Sequence, residues 1–449
     1  MKTLRALLAV TLTVLLWPEA AEAQSHNRPP GEEGSDNFHV LSHVPLGQPL
    51  SVSDLELEQD LDRPFAYVGR MFVHGFDIID LSDPSNAKVL HRWRIENAEL
   101  HQGTGMMDAK YFKHDRRYYL VQSTQFGGGG PDSDLGAIVF DVTGLPDVST
   151  LREVARIREP DVPGGFHNIF MYKHSDGRPI LITTTGSGFA HMYDMSSVIR
   201  GEPGMVGKVP VPEGATSMFG SFYHDMYAAY DPGDGKDKFY GGGAGGYHVY
   251  DLSNPAEPAH MFSLTGMPLV PWGHTFTPTP DGKYAVGEVE HQYAPLRIFD
   301  LQPGQSGETR TINRSIGAWT ANWENLSHNH EVRWPFVFVS AYEDGIQVFN
   351  MMDPTKPYTV GFWDTYPGPP AVGMCGDNKC NGAFGVDVRN ADGLIVGSDM
   401  STGFWVFRMD GFQGWNGENW GMPNISSVQD WDNGPVRPRV TTDSDQSGS

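Results

Sequence analysis

The chain is poor in cysteine, poor in positive charge, nearly devoid of helical periodicity, and has one long apolar run in 449 residues. Each shortage removes a class of protein. Two cysteines, Cys375 and Cys380 in "CGDNKC", cannot build a disulfide-dense scaffold. Their spacing is wider than a redox CxxC. In an oxidising compartment a local bridge between them is the expectation, with a two-thiolate metal site as the alternative. Lys and Arg number 32 against 55 Asp and Glu, a formal charge of -23. Such a surface repels phosphate backbones, so nucleic acid is not an expected partner.

The apolar run belongs to "MKTLRALLAVTLTVLLWPEAAEAQ", with Lys2 and Arg5 ahead of it and Ala21-Glu22-Ala23 behind it. This layout reads as a secretory signal over 1–23, and the run from Ala6 to Trp17 is too short to span a bilayer. A retained anchor is the alternative. No later stretch is long and apolar enough to cross a membrane, so a soluble bacterial protein, periplasmic or secreted, is expected rather than an integral membrane protein. The chain also lacks a Gly-x-Ser-x-Gly elbow. "FGGGGPDSD", Phe126 to Asp134, has no lysine or helix after it and reads as an insertion over a channel mouth rather than a phosphate loop. "DPGDGKDK", Asp231 to Lys238, has alternating acids but no downstream glutamate, and reads as a solvated hairpin rather than a calcium loop.

What the chain does have is glycine (53), proline (33) and short β-branched or aromatic runs between turn residues, the pattern of an all-β protein. One motif recurs: a turn, four or five apolar residues, an Asp, then another turn. Copies start at Gly75, Gly136, Gly188, Gly245, Ala294, Asp344 and Gly403, and the strand-ending residue is Asp80, Asp141, Asp194, Asp251, Asp300, Asn350 and Arg408. Steps of roughly fifty residues with about four strands each predict a single seven-bladed β-propeller. The last copy lacks an outer strand, and "NFHVLSHVPLG" from Asn37 has that strand's pattern. An N-terminal strand is therefore expected to close the ring beside "GFWVFRM". The propeller is placed at 37–423, between a polar leader at 24–36 and a polar tail at 424–449, both expected to be disordered.

"GFDIIDLSDPSNAKVL", "DGIQVFNMMDPTKPYTVGFWDT" and "SDMSTGFWVFRM" resemble the LVIVD repeat of secreted bacterial β-propeller proteins. The resemblance spans nearly the whole mature chain and implies a fold rather than an activity.

Histidines recur upstream of the strand that precedes each motif: His101, His167, His224, His274 and His328. The first strand of a propeller blade lies nearest the axis, so these five are expected to converge on one end of the central channel. Protonated imidazoles repel one another, and a bound cation removes that repulsion. Neutral imidazole suits zinc, copper, iron or nickel, and the expected cofactor is a transition metal ion, copper, iron, zinc or manganese. The alternative is five turn residues inherited from a common repeat. Blade seven offers Phe384 to Val386 with Asp387 nearby, and blade one offers Glu58 or Gln59. His330 and His291 are expected as substitute ligands or supporting groups, and Asp225, Glu288, Glu290 and Glu331 as carboxylates orienting the rings.

The histidine placement is similar in kind to that of carotenoid-cleaving dioxygenases and of the selenium-binding-protein family, which includes methanethiol oxidase, though no long motif of either is present. A metal-dependent enzyme, an oxidoreductase first, acting on a small molecule or glycan, is therefore the leading expectation. A non-catalytic binding or assembly scaffold is the second. A lyase or hydrolase using histidine with Tyr193, Tyr223 or Tyr342 is the third.

Overall fold

In the computed structural model, which describes residues 31, 33–366, 368, 380–415, 431–432 and 434–435, seven antiparallel sheets surround one axis. The expected signal and Cys375, hence one side of the expected Cys375–Cys380 bridge, lie outside the described residues; Cys380 is buried. Each sheet has four strands, and the fourth blade adds a short parallel fifth, Thr311–Ile312. The innermost strands in ring order are Val52–Leu57, Gly105–His114, Ile169–Lys173, Tyr223–Asp231, Phe276–Pro278, Asn329–Arg333 and Ala383–Val388.

Phe38–Val44 pairs antiparallel with Gly403–Met409, from Phe38 opposite Met409 to Val44 opposite Phe404, and so supplies the missing outer strand of blade seven. The pairing completes blade seven with strands from both ends of the propeller and so covers the edge of Gly403–Met409. The chain makes contacts even before that strand: Gly34 bridges to Trp363 and the Ser35 N–H donates to Phe362 O. Within the stretch expected to be a free tail, the Trp431 carbonyl accepts from Lys173 Nζ at 2.7 Å and Asp432 pairs with Lys113.

The recurrent Asp has a local cause. Its carboxylate accepts the N–H two residues on: Asp80 from Ser82 at 2.9 Å, Asp194 from Ser196 at 2.9 Å, Asp251 from Ser253 at 2.9 Å, with Asn350 serving Met352 at 2.7 Å. This Asx turn sends the chain into the outer strand. Blades then pack face to face through buried aromatics, as where Tyr247 stacks on Phe276 at 4.7 Å between ring centres. Each such ring contributes about 2–3 kcal/mol by leaving water.

Near one end of the inner strands, a hydroxyl on the second strand ties each of several blades to the next. Ser123 Oγ donates to His167 O, Thr184 Oγ1 to His224 O at 2.8 Å, Ser340 Oγ to Phe384 O at 2.8 Å and Ser398 Oγ to Ser53 O at 2.7 Å. The same oxygens accept an amide of their own blade: Asp108 N, Asn168 N, Asn329 N and Gly385 N. These bonds, with the backbone pairing of His274 N to Glu288 O, set the register of the ring. Ser53, Met107, His167, His224, His274, His328 and Phe384 occupy one equivalent position.

Candidate metal centre at one mouth of the channel

Four consecutive blades, three to six, therefore present a histidine at the start of the inner strand. Ring centres are 4.5 Å apart for His167 and His224, 4.1 Å for His224 and His274, and 4.9 Å for His274 and His328. Three of the four have Nδ1 facing an acceptor. His167 Nδ1 lies 3.2 Å from Gln125 Oε1, and His328 Nδ1 lies 2.6 Å from the Phe384 carbonyl. His274 Nδ1 has Glu288 Oε2 at 2.7 Å and Thr275 Oγ1 at 3.0 Å, and that hydroxyl has Asp225 Oδ2 at 3.0 Å to donate to. An acceptor at Nδ1 puts the ring proton there and leaves the Nε2 lone pair free, the tautomer a metal ligand needs.

The free nitrogens converge. His167 Nε2 and His224 Nε2 are 3.0 Å apart, and two ligands of one tetrahedral ion at about 2.0–2.1 Å sit about 3.3 Å from each other. His274 Nε2 and His224 Nδ1 are buried without a hydrogen-bond partner. Glu290 Oε2 is 3.5 Å from His274 Nε2, and His224, His274 and Glu290 each offer a ligand atom within 4.8 Å of the others. The other Glu290 oxygen accepts the Tyr342 hydroxyl.

Burial, with the neighbouring imidazoles adding to it, pushes His224 and His274 well below the ordinary histidine range. Burial alone brings His167 to about 4 and dominates in bringing His328 to about 3. All four rings are thus neutral at pH 7. Burial lifts Glu290 to about 7 and Glu288 well above the usual carboxyl range. His224, His274 and Glu290 are the members whose ligand atoms lie close enough together to hold one ion, with His167 and His328 flanking them.

One residue further along six of the seven inner strands lies a polar girdle: Asp54, Asp108, Asn168, Asp225, Thr275 and Asn329, with Gly385 at the seventh. Asn329 Nδ2 donates to Asp54 Oδ2 at 2.7 Å, and Lys110 Nζ donates to Asp108 Oδ1 at 2.5 Å. Below it, a cavity of about 50 Å³ is lined by Glu56, Glu331, Asp387 and His330 among others. Burial raises Asp54 and Glu331 to about 8 and Asp225 to about 7.

Several expected residues do not reach the mouth. His101 ends a short 3-10 turn upstream of its strand, with Nε2 3.0 Å from Asp132 and its ring beside His74 and Phe126. Met107 holds the ring position in its place. In blade one the position belongs to Ser53, not to Glu58 or Gln59. Glu58 is paired with Arg63 at 2.5 Å, and Gln59 Nε2 donates to Val388 O. Phe384 stands where the blade-seven histidine would fall, as expected. His291 is exposed with Nδ1 on Gln292 O at 2.7 Å, and His330 lines the cavity below. Glu331 pairs with Arg333 at 3.0 Å. Of the three tyrosines only Tyr342 reaches the site, since Tyr223 donates to Pro210 O and Tyr193 is buried near Glu159 in blade three.

Apart from Asp225, neither the girdle nor the hydroxyl ties were expected from the sequence. A signal was present in the doublets Ser53-Asp54, Met107-Asp108, His167-Asn168, His224-Asp225, His274-Thr275 and His328-Asn329, which align the blades without relying on histidine alone. The loop from Phe126 to Asp134 does sit at the mouth end: Gly128 N donates to Gln102 O, and Gly164 N donates to Ser133 O. Asp231 to Lys238 is a hairpin pinned by Lys238 Nζ on Asp231 and Asp234 at 2.7 and 2.8 Å. A second group with ligand potential, Glu159, Asp161 and His191, already has Lys208 Nζ 2.7 Å from both Asp161 oxygens.

Among the described residues no helix is long and apolar enough to cross a membrane. No family model matches the chain, and no curated protein is detectably similar to it in sequence, so the statement of kinship rests on architecture: the chain is a seven-bladed β-propeller.

Proposed function

We propose that this is an exported, LVIVD-type propeller whose mouth holds one transition-metal ion on His167, His224, His274 and His328, with Glu290 as a fifth donor or as the base beside it. The observation that carries the reading is the set of groups facing Nδ1, namely Gln125, Glu288 with Thr275, and the Phe384 carbonyl, which favours the Nε2 lone pair on three histidines, with His274 Nε2 buried without a partner. A scaffold needs no such tautomer control around unpartnered nitrogens. The donors lie on one side of the ring, which leaves coordination positions for water, dioxygen or a small-molecule substrate, so a metal-dependent enzyme of the oxidoreductase class is favoured. Copper, iron, zinc and manganese all suit the donor set.

A second reading has one supporting contact. The Tyr342 hydroxyl on Glu290, with the tyrosine ring 5.2 Å from that of His328, forms an acid/base pair for a non-redox lyase or hydrolase acting on a glycan. Elemental analysis of untagged protein from the native compartment, beside His224→Ala/His274→Ala, separates the readings. About one equivalent of a transition metal lost in the variant supports the centre. A folded wild type that stays metal-free after reconstitution removes it and leaves the acid/base or scaffold reading.

A further inference from the structure

The inner strands begin at the histidine mouth, so the loops joining each blade to the next, and those between second and third strands, open on that same end. Most of the large hydrophobic side chains left exposed among the described residues stand on those loops. They are concentrated above the histidine side of the ring. Met218 and Phe219 form the tip of a turn closed by the Ser217–Gly220 bridge, with Met218 81% exposed. Turn tips ordinarily carry Gly, Asn or Asp. Leu269 and Tyr293, both about half exposed, have φ of +61° and +63°, a region L side chains rarely adopt. Trp323 lies beside Tyr293, its carbonyl accepting the Tyr293 N–H at 3.1 Å and the rings 6.5 Å apart.

Phe219 connects this surface to the candidate metal centre through Trp272. Trp272 packs its edge against His224, 5.8 Å between ring centres, and on its other side meets Phe219 at 5.5 Å. The stretches 214–223 and 258–280, which carry Met218, Phe219, Leu269 and Trp272, contain no Asp, Glu, Lys or Arg, in a chain whose net charge is -23. Those two stretches supply no counter-ion, and the charges at the edge are Arg297, whose Nη2 donates to Pro268 O at 2.7 Å, and the exposed Glu324 after Trp323; an uncharged apolar body would cover the side chains that now face water.

We propose that Met218, Phe219, Leu269, Tyr293 and Trp323 form a platform for the uncharged aromatic or alkyl body of the substrate, with Trp272 guiding its reactive end to His224. The assignment of this body as substrate rests on the metal-centre reading; its binding does not.

The test is titration of the neutral dye N-phenyl-1-naphthylamine, read by fluorescence, into wild type, His224→Ala/His274→Ala and Phe219→Ser/Trp323→Ser. Circular dichroism on each verifies folding, and metal is assayed on the same samples. The expected result is saturable binding by wild type, within about twofold in the histidine variant, and at least about tenfold weaker in the platform variant. A wild type that lacks metal yet binds the dye through Phe219 and Trp323 supports the platform and sinks the metal centre alone. No saturable binding by wild type, equal binding by the platform variant, or loss only in the histidine variant overturns the platform. Sedimentation of wild type, but not of the platform variant, with neutral phosphatidylcholine vesicles would assign the surface to a bilayer and overturn it too.

Discussion

Replacing Thr184 by Val deletes one oxygen and keeps the shape, and its cost can be worked from the bonds that oxygen makes. Thr184 is fully buried, its Oγ1 accepts Asn168 N at 3.0 Å and donates to His224 O at 2.8 Å. The His224 carbonyl keeps a second donor, Asn168 Nδ2 at 3.2 Å, so the loss concentrates on the Asn168 N–H, left buried with no acceptor. An unsatisfied buried group costs about 1–3 kcal/mol, and Thr184→Val should therefore lose about 2 kcal/mol. Thr184→Ser keeps the oxygen and loses one methyl, about 0.8 kcal/mol. Urea unfolding gives the global figure. Hydrogen exchange gives the local one, with Asn168 expected to exchange about thirtyfold faster if its opening carries the whole penalty. Should the Val variant prove as stable as the Ser variant, with Asn168 still protected, the tie between blades three and four is not what holds His224 in place.

Three further outcomes follow from the same geometry. Glu288→Gln replaces the carboxyl group 2.7 Å from His274 Nδ1 by an amide and should weaken metal binding about 10–100-fold in competition with a chelator; unchanged affinity would deny Glu288 any part in orienting that ring. Because burial already keeps His167 and His328 neutral down to about 4 and 3, acid competes for the site mainly through Glu290, which takes up a proton as pH falls below about 7. Metal affinity between pH 5 and 7 should thus fall about tenfold per pH unit, and a steeper dependence of several protons would contradict neutral rings. Asp54, raised to about 8 by burial, contributes stability that is full below the unfolded value of about 3.9 and is lost as pH rises through the folded value. Relative to Asp54→Asn, the metal-free wild type should lose up to about 1.4 kcal/mol per pH unit from pH 5 to 7, and parallel urea midpoints would refute the raised value.

The fold was legible because its two signals are local and periodic. The Asp of each repeat makes an Asx turn that any blade needs, and the Asn37–Gly47 strand pattern had no blade of its own until Gly403–Met409 accepted it. The site was half legible. His167, His224, His274 and His328 lie at strand starts and were readable as a set. His101 misled because it precedes a ten-residue inner strand by a turn, and the residue in true register, Met107, carries no chemical mark. Glu58 misled for the opposite reason, since it follows the far end of Val52–Leu57. The ties of Ser123, Thr184, Ser340 and Ser398 could not be read at all. Serine and threonine are common in strands, and only the pairing register shows which of them bridges two blades.

Seven equivalent positions with histidine in every one would surround an ion with imidazole and leave no place for a reactant. Here the four histidines are consecutive, and the other three positions hold Ser53, Met107 and Phe384. The cluster of Met71, Met107, Tyr342, Phe384 and Met400 makes that side of the mouth apolar. Phe384 also serves the opposite side, because its carbonyl fixes the His328 tautomer and its ring lies 3.9 Å from that imidazole. Among the described residues, the positions across the mouth from the histidine arc are Ser53, Met107 and Phe384, with the Tyr342 hydroxyl turned to Glu290. On the metal-centre proposal, it is the departure from seven-fold symmetry, rather than the histidines alone, that would leave room for a reactant beside the ion.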